Sequence, residues 1–311
     1  MLSVLKRTKK HITICYNIGD MEELHKPVLL SEVLEVLNPQ TGESYLDLTA
    51  GYGGHASEVL DLTRNYKDSV LIDRDAFATE YLKGKYESEP LEIVNGDFYS
   101  SVLKKVECGK TFDLILADFG VSSPQLDRNE RGFSFSKDGP LDMRMDRTQE
   151  LTAERVVNHY PEWKLAEIFE KYGEERAGNA KRLAREIVHA RPFRTTLELA
   201  DFVKAKSRYS KMHPATRVFQ AIRIEVNDEL GLIEKTLPLL PKVLNPGGRV
   251  AIITFHSLED RLVKQYFREA SEYGEESELM ILTKTPIVAG EKELVNNPRA
   301  RSAKLRAARR R

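Results

Sequence analysis

Between residues 44 and 118 the chain alternates short apolar runs with stretches of helical periodicity, and nothing else in it constrains the fold so tightly. Ser44–Leu48, Ser69–Ile72, Leu91–Val94 and Phe112–Ala117 read as strands, with helices such as Ala56–Leu62 and Ala76–Tyr86 between them. A fifth apolar run, Arg249–Phe255, comes much later. Short unbroken apolar runs suit strands buried on both faces. Strand and helix in alternation predict a parallel sheet with helices on either side, an α/β fold of Rossmann-like type.

The alternation stops between about residues 127 and 226. The run Phe112–Ala117 is followed by DFGVSSPQLDRNERGFSFSKDGPLDMRMD, residues 118–146, where periodicity is lost and Gly, Pro, Ser and Asp recur. A loop this long is uncommon inside a compact domain and is usually functional when ordered. Helical signals come next. Pro161 opens a helix with Leu165, Ile168, Phe169 and Tyr172 on one face and Gly173 at its stop. Asn179–Ala190, Thr196–Ser207 and Pro214–Leu230 continue the series, which predicts an all-helical insertion between the fourth and fifth strands. After the fifth strand, Ser257 is expected to cap a helix, with Asp260 three residues on. Leu279–Thr285 and Ala303–Ala307 are expected as edge strands. The expected organisation is an extension at 1–20, a sheet domain at 21–126, the insertion at 127–226, and the rest of the sheet domain with a basic tail at 227–311.

Composition narrows the function classes. With 41% hydrophobic and 31% charged residues the chain should fold. No apolar run approaches the ~20 residues of a transmembrane helix, so no membrane partner is expected. Basic and acidic residues balance at 48 each, which argues against a whole-surface polyanion binder but leaves room for local patches. One such patch is PRARSAKLRAARRR, residues 298–311, which reads as a solvated tail suited to phosphate backbone. Cys15 and Cys108 form no CxxC pair, which indicates a reducing, cytoplasmic setting. Neither lies beside an obvious base, which disfavours covalent cysteine chemistry. Residues 1–20 are basic until Asp20 and precede Met21, so they read as a dispensable extension.

The first strand runs into DLTAGYGGHA, residues 47–56, where Gly51, Gly53 and Gly54 allow a tight strand-to-helix turn and close approach of a ligand to backbone. Asp73, at the end of the second strand, is spaced to accept both hydroxyls of a ribose. Asp97-Phe98 ends the third strand and offers an acceptor and a ring to a purine. Gly51-x-Gly53-x-x-Ala56 also fits a dinucleotide fingerprint, so a nicotinamide-dependent oxidoreductase is the competing reading. Asp97-Phe98 and the lone parallel half-domain favour S-adenosylmethionine. A non-catalytic ribosome-assembly protein with a vestigial cofactor site is a third reading, against which the intact loop argues. The seven histidines show no metal-ligand spacing, so no metal is expected.

The segments HKPVLLSEVLEVLNP (25–39), GYGGH (51–55), IDRD (72–75), DFGVSSPQLD (118–127), RGFSF (131–135) and DGPLDMRMD (138–146) carry a specific resemblance. YGEER (172–176), HPATRVFQAIRIEVNDEL (213–230), FHSLEDRLVK (255–264) and NPRARSAKLRAA (297–308) extend it. The chain resembles the MraW-type family of small-subunit ribosomal RNA cytosine-N4 methyltransferases over nearly everything after residue 24; AGNAKR after Arg176 is longer than the usual family spacing. The resemblance implies a class I methyltransferase sheet with an inserted helical domain that helps recognise RNA. It implies S-adenosylmethionine as cofactor and, as substrate, a cytidine in the decoding region of 16S ribosomal RNA, within the small subunit. By the same resemblance Gly53, Gly54 and His55 hold the cofactor through the turn and Asp73 binds its ribose. Phe98 lies against adenine, and Asp118 and Gln125 contact the cofactor from the loop.

The chemistry agrees. The N4 lone pair of cytosine is delocalised into the ring, and an acceptor on its N–H groups favours the nucleophilic geometry and takes the proton. Asp118, or a carbonyl of the Gly120–Pro124 turn, is placed to do this. Attack at C5 would need a thiolate, and the loop has no cysteine. Phe133 or Phe135 is a candidate to stack on the base, and Arg144, Arg217 and Arg223 are candidates for phosphates or salt bridges.

Overall fold

The computed structural model describes residues 27–207, 213–272 and 277–311. The expected extension at 1–20 lies outside them. Elements are numbered along the described residues.

Five parallel strands form the body of a seven-stranded sheet: β1 (Tyr45–Asp47), β2 (Val70–Asp73), β3 (Glu92–Asn95), β4 (Phe112–Asp118) and β5 (Leu244–Thr254). The sheet order is β3-β2-β1-β4-β5-β7-β6, in which β6 is Leu279–Ile281 and β7 is Lys304–Arg310, antiparallel to both neighbours. β1 is wholly buried and β4 nearly so, as apolar runs covered on both faces must be. Helices α1 (Leu30–Leu37), α2 (Gly54–Thr63), α3 (Ala76–Lys85) and α4 (Phe98–Glu107) supply the cover before β4. Two cores result, one on each face: Leu37, Tyr45, Leu60 and Leu114 on one, Leu46, Ile72, Val102 and Ile115 on the other.

A short helix α5 (Ser123–Asp127) follows β4, and α6 (Ala153–His159), α7 (Glu162–Lys171), α8 (Ala177–Ala190), α9 (Thr196–Lys206) and α10 (Ala215–Asn227) come after it. Their apolar faces enclose a third core built on Leu165, Phe169, Leu183, Ile187 and Ile222. The run expected as one helix from Pro214 to Leu230 is two: Asp228 takes a left-handed conformation (φ 48°), and α11 (Glu229–Thr236) leaves in a new direction to pack on α4 and α13. The buried Asn227 side chain fixes this corner by accepting from Met145 N–H and donating to the Met143 carbonyl. α12 is Leu240–Val243, α13 is Ser257–Glu269 and α14 is Glu291–Asn296.

Three other expectations fail at the C-terminal end. Ser257 is the first helical residue of α13, not its cap; His256 caps it, its Nδ1 accepting from Glu259 N–H while the Glu259 carboxylate returns to His256 N–H. The basic 298–311 segment is not a tail, and β7 is not an edge. Lys304–Arg310 is clamped between β5 and β6, with the buried Arg306 paired to Asp260 of α13 at 2.7 Å.

Candidate active site

The sheet order reverses between β1 and β4. The turns after these strands diverge, opening a crevice at their carboxyl ends, where open α/β sheets place ligands. It holds a cavity of about 300 Å³, in the range of small-molecule sites. The turn after β1 forms one wall. Gly51 has φ +52° and donates its N–H to Asp73 Oδ2 at 2.8 Å, tying the first turn to the end of β2. Gly54 and His55 line the cleft at the start of α2. Gly53 lies off the lining: its φ is +80° and an added Cβ would meet Leu82 at 2.9 Å, so this glycine lets the turn pack on α3.

Three aspartates end the strands around the crevice. Burial pushes Asp47 up to about 7, against hydrogen bonds from Tyr45 and Thr49. Burial likewise pushes Asp73 up to about 6, though Asp75 N–H and Gly51 N–H both donate to it. Asp118 is raised well above the usual carboxylate range, by burial first and then by the charges of Asp47 and Glu259. Its Oδ1 has no hydrogen-bond partner, and its Oδ2 is 3.8 Å from Nδ1 of His55, whose Nε2 donates to the Val28 carbonyl. Phe98, its ring tilted 41° to that of Phe119 at 5.4 Å, gives the cleft an apolar shelf.

The loop after β4 folds over this cleft and is fixed from within. Ser122 and Gln125 form a capping box for α5, with Gln125 Oε1 accepting from Ser122 N–H and Nε2 donating to Asp75 Oδ2 at 3.0 Å. Gln125 therefore lines the cleft with both ends of its amide engaged. Asp75 Oδ2 also receives Arg131 Nη1 at 2.7 Å, in a pair whose side chains are only 4% exposed. Arg131 Nη2 reaches on to the carbonyls of Arg144 and Met145. This latch between loop and sheet joins residues 56 apart, and no spacing rule in the sequence signals it.

Phe133 and Phe135 are not presented to the cleft. Phe133 is buried in the helical core, and Phe135 packs on His213 and Phe219, each at 4.8 Å. The arginines expected as phosphate or salt-bridge candidates are paired: Arg144 with Asp142, Arg217 with Glu175, and Arg223 with Glu229 through two bonds of 2.8 and 2.9 Å. Glu229 and Glu259 line the cleft near Arg223. Burial opposes the charge on Glu259, but His256, Arg223 and Phe255 N–H outweigh it and hold the carboxyl below its usual range. Glu229, His256 and Glu259 bring potential ligand atoms within 4.8 Å of one another, a grouping that the histidine spacing did not reveal. Arg223 occupies both oxygens of Glu229, whereas His256 Nε2 and Glu259 Oε1, 3.1 Å apart, are buried without a hydrogen-bond partner.

The model of the MraW methylase family matches residues 22–311. The ribosomal RNA small subunit methyltransferase H of Synechocystis sp. is 48% identical over 295 residues, covering 91% of this chain and 92% of that protein. The protein of the same name from Halothermothrix orenii is 46% identical over 310 residues, covering 92% and 98%. Among solved structures, TrmN from Thermus thermophilus aligns over 91% of this chain and 48% of its own, at 11% identity and a TM-score of 0.43, too distant to carry any argument. The methyl donor of such enzymes is S-adenosylmethionine, and the residues present suit it. The glycine turn leaves room at backbone, Asp73 offers a carboxylate for ribose hydroxyls, Phe98 gives a flat apolar face, and Asp118 keeps an unpartnered oxygen. With its family model spanning nearly the whole length and relatives close to half identical, the chain belongs to the MraW methylase family.

Proposed function

We propose that this chain methylates N4 of a cytidine in the decoding region of 16S ribosomal RNA, acting in the cytoplasm on the small ribosomal subunit. The names of its relatives support a small-subunit ribosomal RNA substrate. The choice of N4 rests on one observation: a part-buried carboxylate, Asp118, with a buried, unpartnered oxygen at the end of β4 in the cofactor cleft.

When bound, S-adenosylmethionine supplies a methyl group on a sulfonium, which the N4 lone pair displaces while the carbon–sulfur electrons stay on sulfur. Asp118 Oδ1 accepts an N4–H, which favours the nucleophilic geometry, and then takes the proton. Burial, with the charges of Asp47 and Glu259, raises its pKa, so it holds that proton more tightly than an ordinary aspartate would. His55, its Nε2–H held on the Val28 carbonyl, sets Nδ1 3.8 Å from Asp118 Oδ2. Gly54 and the start of α2 bring backbone up to the cofactor, Asp73 holds its ribose, and Phe98 its adenine. Gln125 orders the loop wall against which the cofactor lies. Attack at cytosine C5 would need a thiolate, and Cys108 is exposed at the end of α4, away from the cleft lining. The helical segment 127–226 recognises the RNA.

Asp118→Asn keeps the shape and removes the proton acceptor. Turnover on small subunits lacking the methyl group should fall by about 10²–10⁴. Full turnover by this variant would remove Asp118 from the mechanism.

A further inference from the structure

The cleft has a rim that no part of the proposed chemistry uses. Asn297, Arg299 and Ser302, from the segment leading into β7, line the same cavity as Asp118 and the Gly120–Gln125 turn. Arg299 Nη2 meets Asp127 Oδ1, at the end of α5, at 2.6 Å across the mouth. The partners are 172 residues apart in sequence and 41% and 48% exposed.

An ion pair this exposed contributes little, because water screens it and the two side chains lose freedom to form it. It cannot be what holds α5 in place; the Gln125–Asp75 and Arg131–Asp75 bonds do that from a buried position. The other arginines on the lining are tied down. Arg223 is locked to Glu229, and Arg74 donates to the Asn227 carbonyl and Gln149. In the C-terminal segment, Lys304 and Arg306 are spent on Asp260. Arg299 thus combines a place on the lining with a solvent-exposed anionic partner that can be exchanged.

A nucleotide whose base enters the cleft carries its phosphodiester to the mouth. A guanidinium pairs with phosphate as well as with carboxylate, in the same two-pronged geometry. We propose that Arg299 is a phosphate contact for the RNA strand bearing the target base, and that Asp127 is a stand-in anion which keeps the guanidinium positioned until phosphate displaces it. This rests on the ribosomal RNA reading above and adds to it a residue for the strand's backbone.

The two partners should then act with opposite sign. With S-adenosylhomocysteine present, binding of the full-length protein to undermethylated small subunits is measured across a salt series. Arg299→Gln should weaken binding by about three- to tenfold and flatten the slope of log K against log salt by about 1. Asp127→Asn should strengthen binding, since a competing anion is gone, and Arg299→Lys should keep the salt slope. Cofactor affinity and melting temperature should stay at the wild-type value in all three. If Asp127→Asn and Arg299→Gln both weaken binding, the pair is only a strut and the proposal fails. It fails equally if neither changes binding while the wild type binds. A wild type that binds no small subunit would overturn the RNA reading itself, and this inference with it.

Discussion

Replacing Arg131 with methionine tests the loop architecture most severely. Asp75 Oδ1 caps α3 through Phe77 N–H, and its Oδ2 is shared by Gln125 and Arg131. Methionine fills similar volume but leaves that carboxylate buried with amide donors alone. Breaking a buried pair in this way costs about 3–5 kcal/mol, most of it the uncompensated charge. The Arg144 and Met145 carbonyls lose a donor as well, at about 1 kcal/mol each where they stay dry. Asp75→Asn preserves the cap but strands Arg131, at a comparable cost. The double variant strands neither charge, so it should be more stable than the sum of the single changes implies, by about 2 kcal/mol or more. Urea unfolding followed by circular dichroism is the assay; Trp163 is 68% exposed and its fluorescence would report little. Affinity for S-adenosylhomocysteine should fall with Arg131→Met, because Gln125 and the loop wall shift. A loss under about 1 kcal/mol, or strictly additive effects, would refute the reasoning.

Other expectations follow from single contacts. Gly132 has φ +71° and an added Cβ would lie 2.1 Å from the Pro140 carbonyl, so Gly132→Ala should destabilise by about 2–5 kcal/mol, read from the same unfolding curves. Phe133→Ala should cost about 3–5 kcal/mol in stability, as a core ring does, and leave intrinsic RNA affinity intact at a temperature where the variant is folded. Burial pushes Asp73 up to about 6 when folded, against 3.8 for the free side chain, so between these values the folded chain holds a proton that the unfolded chain has released. Its contribution to stability is therefore full below 3.8 and is lost as pH rises through about 6. Cofactor affinity should run the other way, since ribose hydroxyls donate to the charged form. Calorimetry with S-adenosylhomocysteine should show weakening below pH about 6 that Asp73→Asn lacks, and a flat profile in the wild type would contradict this.

The parallel strands were legible because a strand covered on both faces must be apolar along its length, as Val70–Ile72 and Leu114–Ala117 are. The acids of the cleft were legible for a related reason. A charge that ends such a run, as at Asp73 or Asp118, stands out against its apolar neighbours. What could not be read was whatever depended on a partner distant in sequence. Lys304–Arg310 looks like a solvated tail because its charge dominates, yet Arg306 is buried against Asp260, 46 residues earlier. His256 displaced Ser257 as the cap because the Glu259 carboxylate, not a hydroxyl, completes the turn. Phe133 and Phe135 sat in a loop rich in polar groups and suggested a stacking platform, but the helical insertion offers them a core. The Arg131–Asp75 latch and the Arg223–Glu229 pair belong to the same class: each half is visible in the sequence, but not the contact between them.

The central claim concerns one atom. The purified protein is incubated with methyl-labelled S-adenosylmethionine and small subunits from a strain lacking this modification. The ribosomal RNA is then digested and its nucleosides resolved by mass spectrometry against standards. The account expects the label in N4-methylcytidine from the decoding region, with Asp118→Asn leaving almost none. Label in 5-methylcytidine or in a ribose 2′-O-methyl nucleoside would contradict it.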